Sequence, residues 1–70
     1  MLDPIEITVT RNIQKARKEA GFTQEQLAEK LEILQHEVAR FETTRCPRIR
    51  VLAKIAAALD KPICYFFEGE

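Results

Sequence analysis

Glycine is scarce in this chain: two in 70 residues, Gly21 and Gly69. That excludes the glycine-rich loops that wrap nucleotide phosphates. Histidine is scarcer still, with His36 alone. It has no second ligand to make a metal site and no nucleophile spaced for it to activate, so no catalytic residue, metal or cofactor is expected and the chain does not read as an enzyme. The two cysteines, Cys46 and Cys64, lack CxxC spacing and a histidine neighbour. They read as reduced thiols, Cys64 in a core run and Cys46 in a loop. No apolar run approaches the length of a membrane span, and no signal-peptide pattern opens the chain, so a cytoplasmic protein is expected. Neither charge is in excess: 11 basic and 11 acidic residues give a net charge of zero. Linkers, repeats and low-complexity tracts are also missing.

What is present is a globular composition, 46% hydrophobic, at a length near the lower limit for a self-sufficient core. One domain over residues 1–70 is expected, and a partner subunit would help it. The zero net charge hides an asymmetry. Arg40, Arg45, Arg48, Arg50 and Lys54 stand in residues 40–54 against one acid, Glu42. A local basic face on a neutral protein follows.

Five short helices can be read along the chain. RNIQKARKEA, residues 11–20, is rich in helix formers and stops at Gly21, with Val9, Ile13, Ala16 and Ala20 as an apolar stripe. Thr8 or Thr10 is its expected cap. Ahead of it, Ile5 to Val9 alternates with period two. This segment is either a short strand, with residues 1–8 an arm, or an early helical turn led by Asp3-Pro4. Thr23 and Gln26 form a capping-box pattern at the start of a second helix, whose inner face is Leu27, Ala28 and Leu31. A third helix is expected from Gln35 to Glu42, with Val38 and Phe41 inward. Pro47 breaks the chain before a fourth, near Arg48–Leu59, burying Val51 or Leu52, Ile55, Ala56 and Leu59. Pro62 opens a short fifth helix with Ile63, Phe66 and Phe67 as its apolar side.

Two short helices across a tight turn, residues 23–42, suit one task well. One helix braces the other, which can enter the major groove of B-DNA. With Val38 and Phe41 anchored below, Gln35, His36, Ala39 and Arg40 fall on the opposite side. Glutamine can bond adenine N6 and N7, arginine guanine O6 and N7, and histidine an acceptor; Ala39 lets the helix sit close.

KARKEAGFTQEQLAEKL, then VARFE, then PRIRVLAKIAAALDKPICYFF together resemble the Cro/phage-repressor (Xre-like) helix-turn-helix family, from about Ile13 to Phe67. The resemblance implies an all-α, five-helix, lambda-repressor-like domain that binds double-stranded operator DNA as a homodimer and regulates transcription. It implies that Gln24 bonds a phosphate and braces Gln35. It implies an ion pair between Arg17 and Glu42, base-reading positions at Gln35, His36 and Arg40, and phosphate contacts at Thr44 and Arg45. Arg48 and Arg50, beside the reading helix, are expected to meet phosphates as well, but both cannot be central on one helix face, and Arg48 is taken as the site residue.

The chain departs from that pattern at four places. Glu32 stands where the turn often has glycine, and a non-glycine residue there costs about 1–2 kcal/mol if the backbone is left-handed. Leu34 replaces the usual serine or threonine cap, at a cost of about 1 kcal/mol. Glu37 either repels phosphate or accepts from cytosine N4. The loop Thr43-Thr44-Arg45-Cys46 lacks the usual glycine. Neutral net charge, Glu37 and Leu34 favour a rival expectation: a helix-turn-helix fold reused as a protein-interaction or antitoxin module.

Overall fold

The computed structural model describes residues 2–68 of the chain. Its elements are α1 (Pro4–Glu19), α2 (Gln24–Leu31), α3 (Gln35–Phe41) and α4 (Ile49–Ala58), followed by a short 3-10 helix (Ile63–Phe67). No strand occurs among the described residues.

The segment left open between strand and helix is helical. Pro4 fills the first helical position, where its missing N–H costs nothing. Glu6 Oε1 accepts from the backbone N–H of Asp3 at 2.8 Å, closing the first turn. The arm or strand over residues 1–8 is therefore replaced by helix from Pro4 onward, and Met1 lies outside the described residues. Neither threonine caps it. Thr8 donates to the Pro4 carbonyl at 3.2 Å and Thr10 to the Ile7 carbonyl at 2.9 Å, so both hydroxyls bond inside the helix. Val9, Ile13 and Ala16 are buried as expected, but Ala20 is exposed at the helix end.

Three helices end alike. After α1, Phe22 N–H donates to the Arg17 carbonyl and Gly21 N–H to that of Lys18. After α2, Ile33 donates to Ala28 and Glu32 to Glu29. After α4, Lys61 donates to Ala56 and Asp60 to Ala57. This is the Schellman arrangement, which needs one left-handed residue at each end. Gly21, Glu32 and Asp60 supply it, with φ of 82°, 59° and 58°.

The core joins Val9, Ile13 and Ala16 of α1 to Leu27 and Ala28, Val38 and Phe41, Leu52, Ile55, Ala56 and Leu59, with Phe66 closing it. The fifth element is a 3-10 helix and not an α-helix. Its three-residue period puts Ile63 and Phe66 on the inner side. Cys64, expected in the core, is exposed for the same reason, and Phe67 is 41% exposed. The Asn12 side-chain amide holds this segment in place. Its nitrogen donates to the carbonyls of Phe66 at 3.0 Å and Glu68 at 2.9 Å, with a longer contact to Tyr65.

Candidate nucleic-acid interface

The interface is built on α2, its turn and α3. At the start of α2, Thr23 Oγ1 accepts from Gln26 N–H at 3.0 Å and Gln26 Oε1 accepts from Thr23 N–H at 2.9 Å. The expected capping box is thus closed. At the other end, Glu32 takes the left-handed conformation, with ψ of 41°. Leu34 then enters α3 with extended backbone and no side-chain bond to the helix N-terminus.

Val38 is 1% and Phe41 8% exposed, which pins α3 from beneath. Gln35, His36 and Arg40 are exposed, while Glu37 and Ala39 are half-buried. The three groups suited to base edges stand clear of the rest of the chain.

A buried polar knot holds α3 at its angle. Glu42, which caps α3, has a fully buried side chain and accepts from Arg17 Nε at 2.6 Å and Nη2 at 3.3 Å. Arg17 Nη1 donates to the Phe22 carbonyl at 2.7 Å, and Gln24 Nε2 donates to Glu42 Oε1 at 3.1 Å. One carboxylate thereby ties α1, the α1–α2 turn, α2 and α3 together. Gln24 commits one amide hydrogen to Glu42, and no hydrogen bond joins it to Gln35 among the described residues. The other amide hydrogen remains for an external acceptor.

The same knot sharpens the charge asymmetry. Glu42 is the one acid in residues 40–54, and it is neutralised inside the protein. Arg40, Arg45, Arg48, Arg50 and Lys54 are all exposed.

The loop after α3 needs no glycine. Thr43, Thr44 and Arg45 N–H groups all converge on the Arg40 carbonyl at 2.9–3.1 Å. The left-handed positions among the described residues lie elsewhere. Thr43 donates its hydroxyl to the Ala39 carbonyl. Thr44 is exposed and lines a shallow groove with Leu2, Ile7 and Thr43. Cys46 donates its S–H to the Pro47 carbonyl at 3.6 Å. Burial pushes its thiol pKa up, and the Glu6 carboxylate pushes the same way, so it stays a protonated thiol.

Glu37, Arg45 and Arg48 come together around a groove between α3 and the start of α4, with Phe41, Pro47 and Val51. Gln24 sits apart from them, in the buried knot. Two apolar side chains stand exposed at the starts of α3 and α4: Leu34, 61% exposed, which the sequence marks as a missing cap, and Ile49, 64% exposed, which it does not mark. Alternation of polar and apolar residues cannot reveal an apolar group placed at a helix start.

A helix-turn-helix family model matches residues 13–66, well over half of the chain. The chain belongs to the Xre-like helix-turn-helix family. This helix-turn-helix protein is therefore an all-helical DNA-binding regulatory domain, with α2 and α3 as its paired helices. The family is one of DNA-binding rather than catalytic domains. No curated protein matches the chain. No helix among its described residues is long and apolar enough to cross a membrane.

Proposed function

We propose that this protein is a sequence-specific transcriptional regulator of the phage or bacterial repressor type, with α3 entering the major groove. The observation that carries the reading is the division of α3. Val38 and Phe41 are buried while Gln35, His36 and Arg40 are exposed on two turns of helix. In this reading Gln35, His36 and Arg40 read bases. Arg45, Arg48, Thr44 and the free amide hydrogen of Gln24 bind phosphate. A homodimer formed through the C-terminal segment, where Phe67 is exposed, would set two α3 helices into successive major grooves about 34 Å apart. Repression then follows from occupying an operator.

The test is titration onto generic and selected duplexes at several salt concentrations. Log affinity should fall with log salt by about 0.9 per phosphate neutralised. Arg40→Ala should relax base choice at one position, worth about 1–3 kcal/mol, while Arg45→Ala should weaken all sequences alike. Absence of binding at low salt would overturn the reading in favour of a protein-interaction module, for which exposed Leu34 and Ile49 offer the apolar surface.

A further inference from the structure

We propose that Glu37 restrains DNA binding by competing with the duplex phosphates for Arg45 and Arg48. This rests on the reading that α3 and the loop after it face DNA. The groove between α3 and α4 has a volume of about 220 Å³ and is lined by Glu37, Phe41, Arg45, Pro47, Arg48 and Val51. It has an apolar floor, two guanidinium groups and one carboxylate. A site of that size holds several waters and admits a phosphate group in their place.

Glu37 lies in the first turn of α3, and the acid at the other end, Glu42, is consumed by Arg17 and Gln24. Glu37 is therefore the carboxylate that shares the groove with the two arginines. The ion pairs among the described residues are Arg17–Glu42 and Lys61–Glu19. Neither groove arginine is locked to Glu37, and both are exposed. They remain open to a phosphate oxygen while lying in the field of the Glu37 carboxylate. Guanidinium prefers phosphate in a two-pronged geometry, but each arginine that turns to the strand gives up part of its attraction to Glu37, which offsets part of the new contact. Because phosphate contacts carry no sequence information, the penalty falls on every duplex alike. Only a site that also satisfies Gln35, His36 and Arg40 then holds the protein at working salt.

The experiment compares wild type with Glu37→Gln, on generic and selected duplexes across salt concentrations, by fluorescence anisotropy. Glu37→Gln should bind every duplex roughly two- to tenfold more tightly at low salt, the range of one or two exposed charge pairs. Its salt slope should be steeper by about one. The gain should vanish when Arg45 and Arg48 are both alanine. A changed preference at one base pair without a general gain would assign Glu37 to reading cytosine and overturn the proposal. So would unchanged affinity, or a gain that survives loss of both arginines. Glu37→Ala, with thermal melting of each variant, keeps the comparison among folded proteins. If wild type and Glu37→Gln both fail to bind any duplex at low salt, the DNA reading itself falls, an outcome distinct from binding without restraint.

Discussion

A left-handed backbone residue is a place where chemistry and conformation disagree unless the residue is glycine. Gly21 agrees, and it was the helix stop visible in the sequence. Asp60 is a common compromise, since its short polar side chain tolerates this region. Glu32 is the costly one: a residue with a long side chain at φ of 59°, in a turn whose length and hydrogen bonds match its two counterparts. Glu32→Gly should relieve about 1–2 kcal/mol of backbone strain and return part of it through the entropy of the unfolded chain. A net gain of about 0.5–1 kcal/mol, or roughly 3–6 °C in melting temperature, is expected in thermal unfolding. An unchanged or lowered melting temperature would mean that the Glu32 side chain has a stabilising partner that outweighs the strain. The threonines show the opposite difficulty. Thr8 and Thr10 look like caps in a string of letters, but with Pro4 able to start the helix earlier, their hydroxyls lie inside it. Cap chemistry is legible only once the true first turn is known.

The central helices were well marked in the sequence because each carries an apolar stripe at helical spacing and a recognisable start. Thr23 with Gln26, Val38 with Phe41, and Leu52 with Ile55, Ala56 and Leu59 all fell where the pattern put them. The ends were less legible. Ile5 to Val9 alternates like a strand, yet Ile5 and Ile7 are half-exposed on α1, and alternation there reflects no buried sheet face. The last element is too short for periodicity to separate a 3-10 from an α-helix, so Cys64 was placed inward. The position of α3, by contrast, depends on a contact that spacing alone does not reveal: Glu42 buried against Arg17 and Gln24. Arg17→Met should cost about 3–5 kcal/mol by leaving a buried carboxylate without its cation. That is a large share of the total for 70 residues at about 0.05–0.15 kcal/mol each. Urea unfolding measures it, and a loss under about 1 kcal/mol would show a pair that is not electrostatically important. Adding Glu42→Leu should restore most of the stability, since apolar replacements of buried pairs are often neutral or better. DNA affinity should stay low in that double variant, because the polar knot orients α3 and also holds Gln24.

At the scale of the molecule, the neutral net charge was the least informative number in the sequence. Folding removes Glu42 from the surface and leaves five exposed cations in residues 40–54, a local field that a sum over the chain conceals. The candidate reading residues were legible because anchoring two side chains of a seven-residue helix dictates where the others point. The groove shared by Glu37, Arg45 and Arg48 was not legible, since it joins two helices across a loop. A further expectation concerns assembly. If Phe67 lies at the contact between two copies, sedimentation should show a monomer–dimer equilibrium that Phe67→Ala shifts toward monomer, with a parallel loss of affinity for palindromic duplexes. A concentration-independent monomer would detach operator symmetry from this segment.

The first helix gives that arrangement its mechanical character. Sixteen residues of α1 form a rod of about 24 Å. Near its start, Ile7 borders the same shallow groove as Thr43 and Thr44. At its middle, Asn12 grips the tail that carries Phe67. In the proposed function, a single stiff beam thus runs from the loop assigned to phosphate contact to the segment assigned to a second copy, with no hinge between them. Such a pair would behave as a caliper with a fixed gap, and moving two half-operators apart by one base pair should be felt as lost grip on one side, not as a slight bend in the protein.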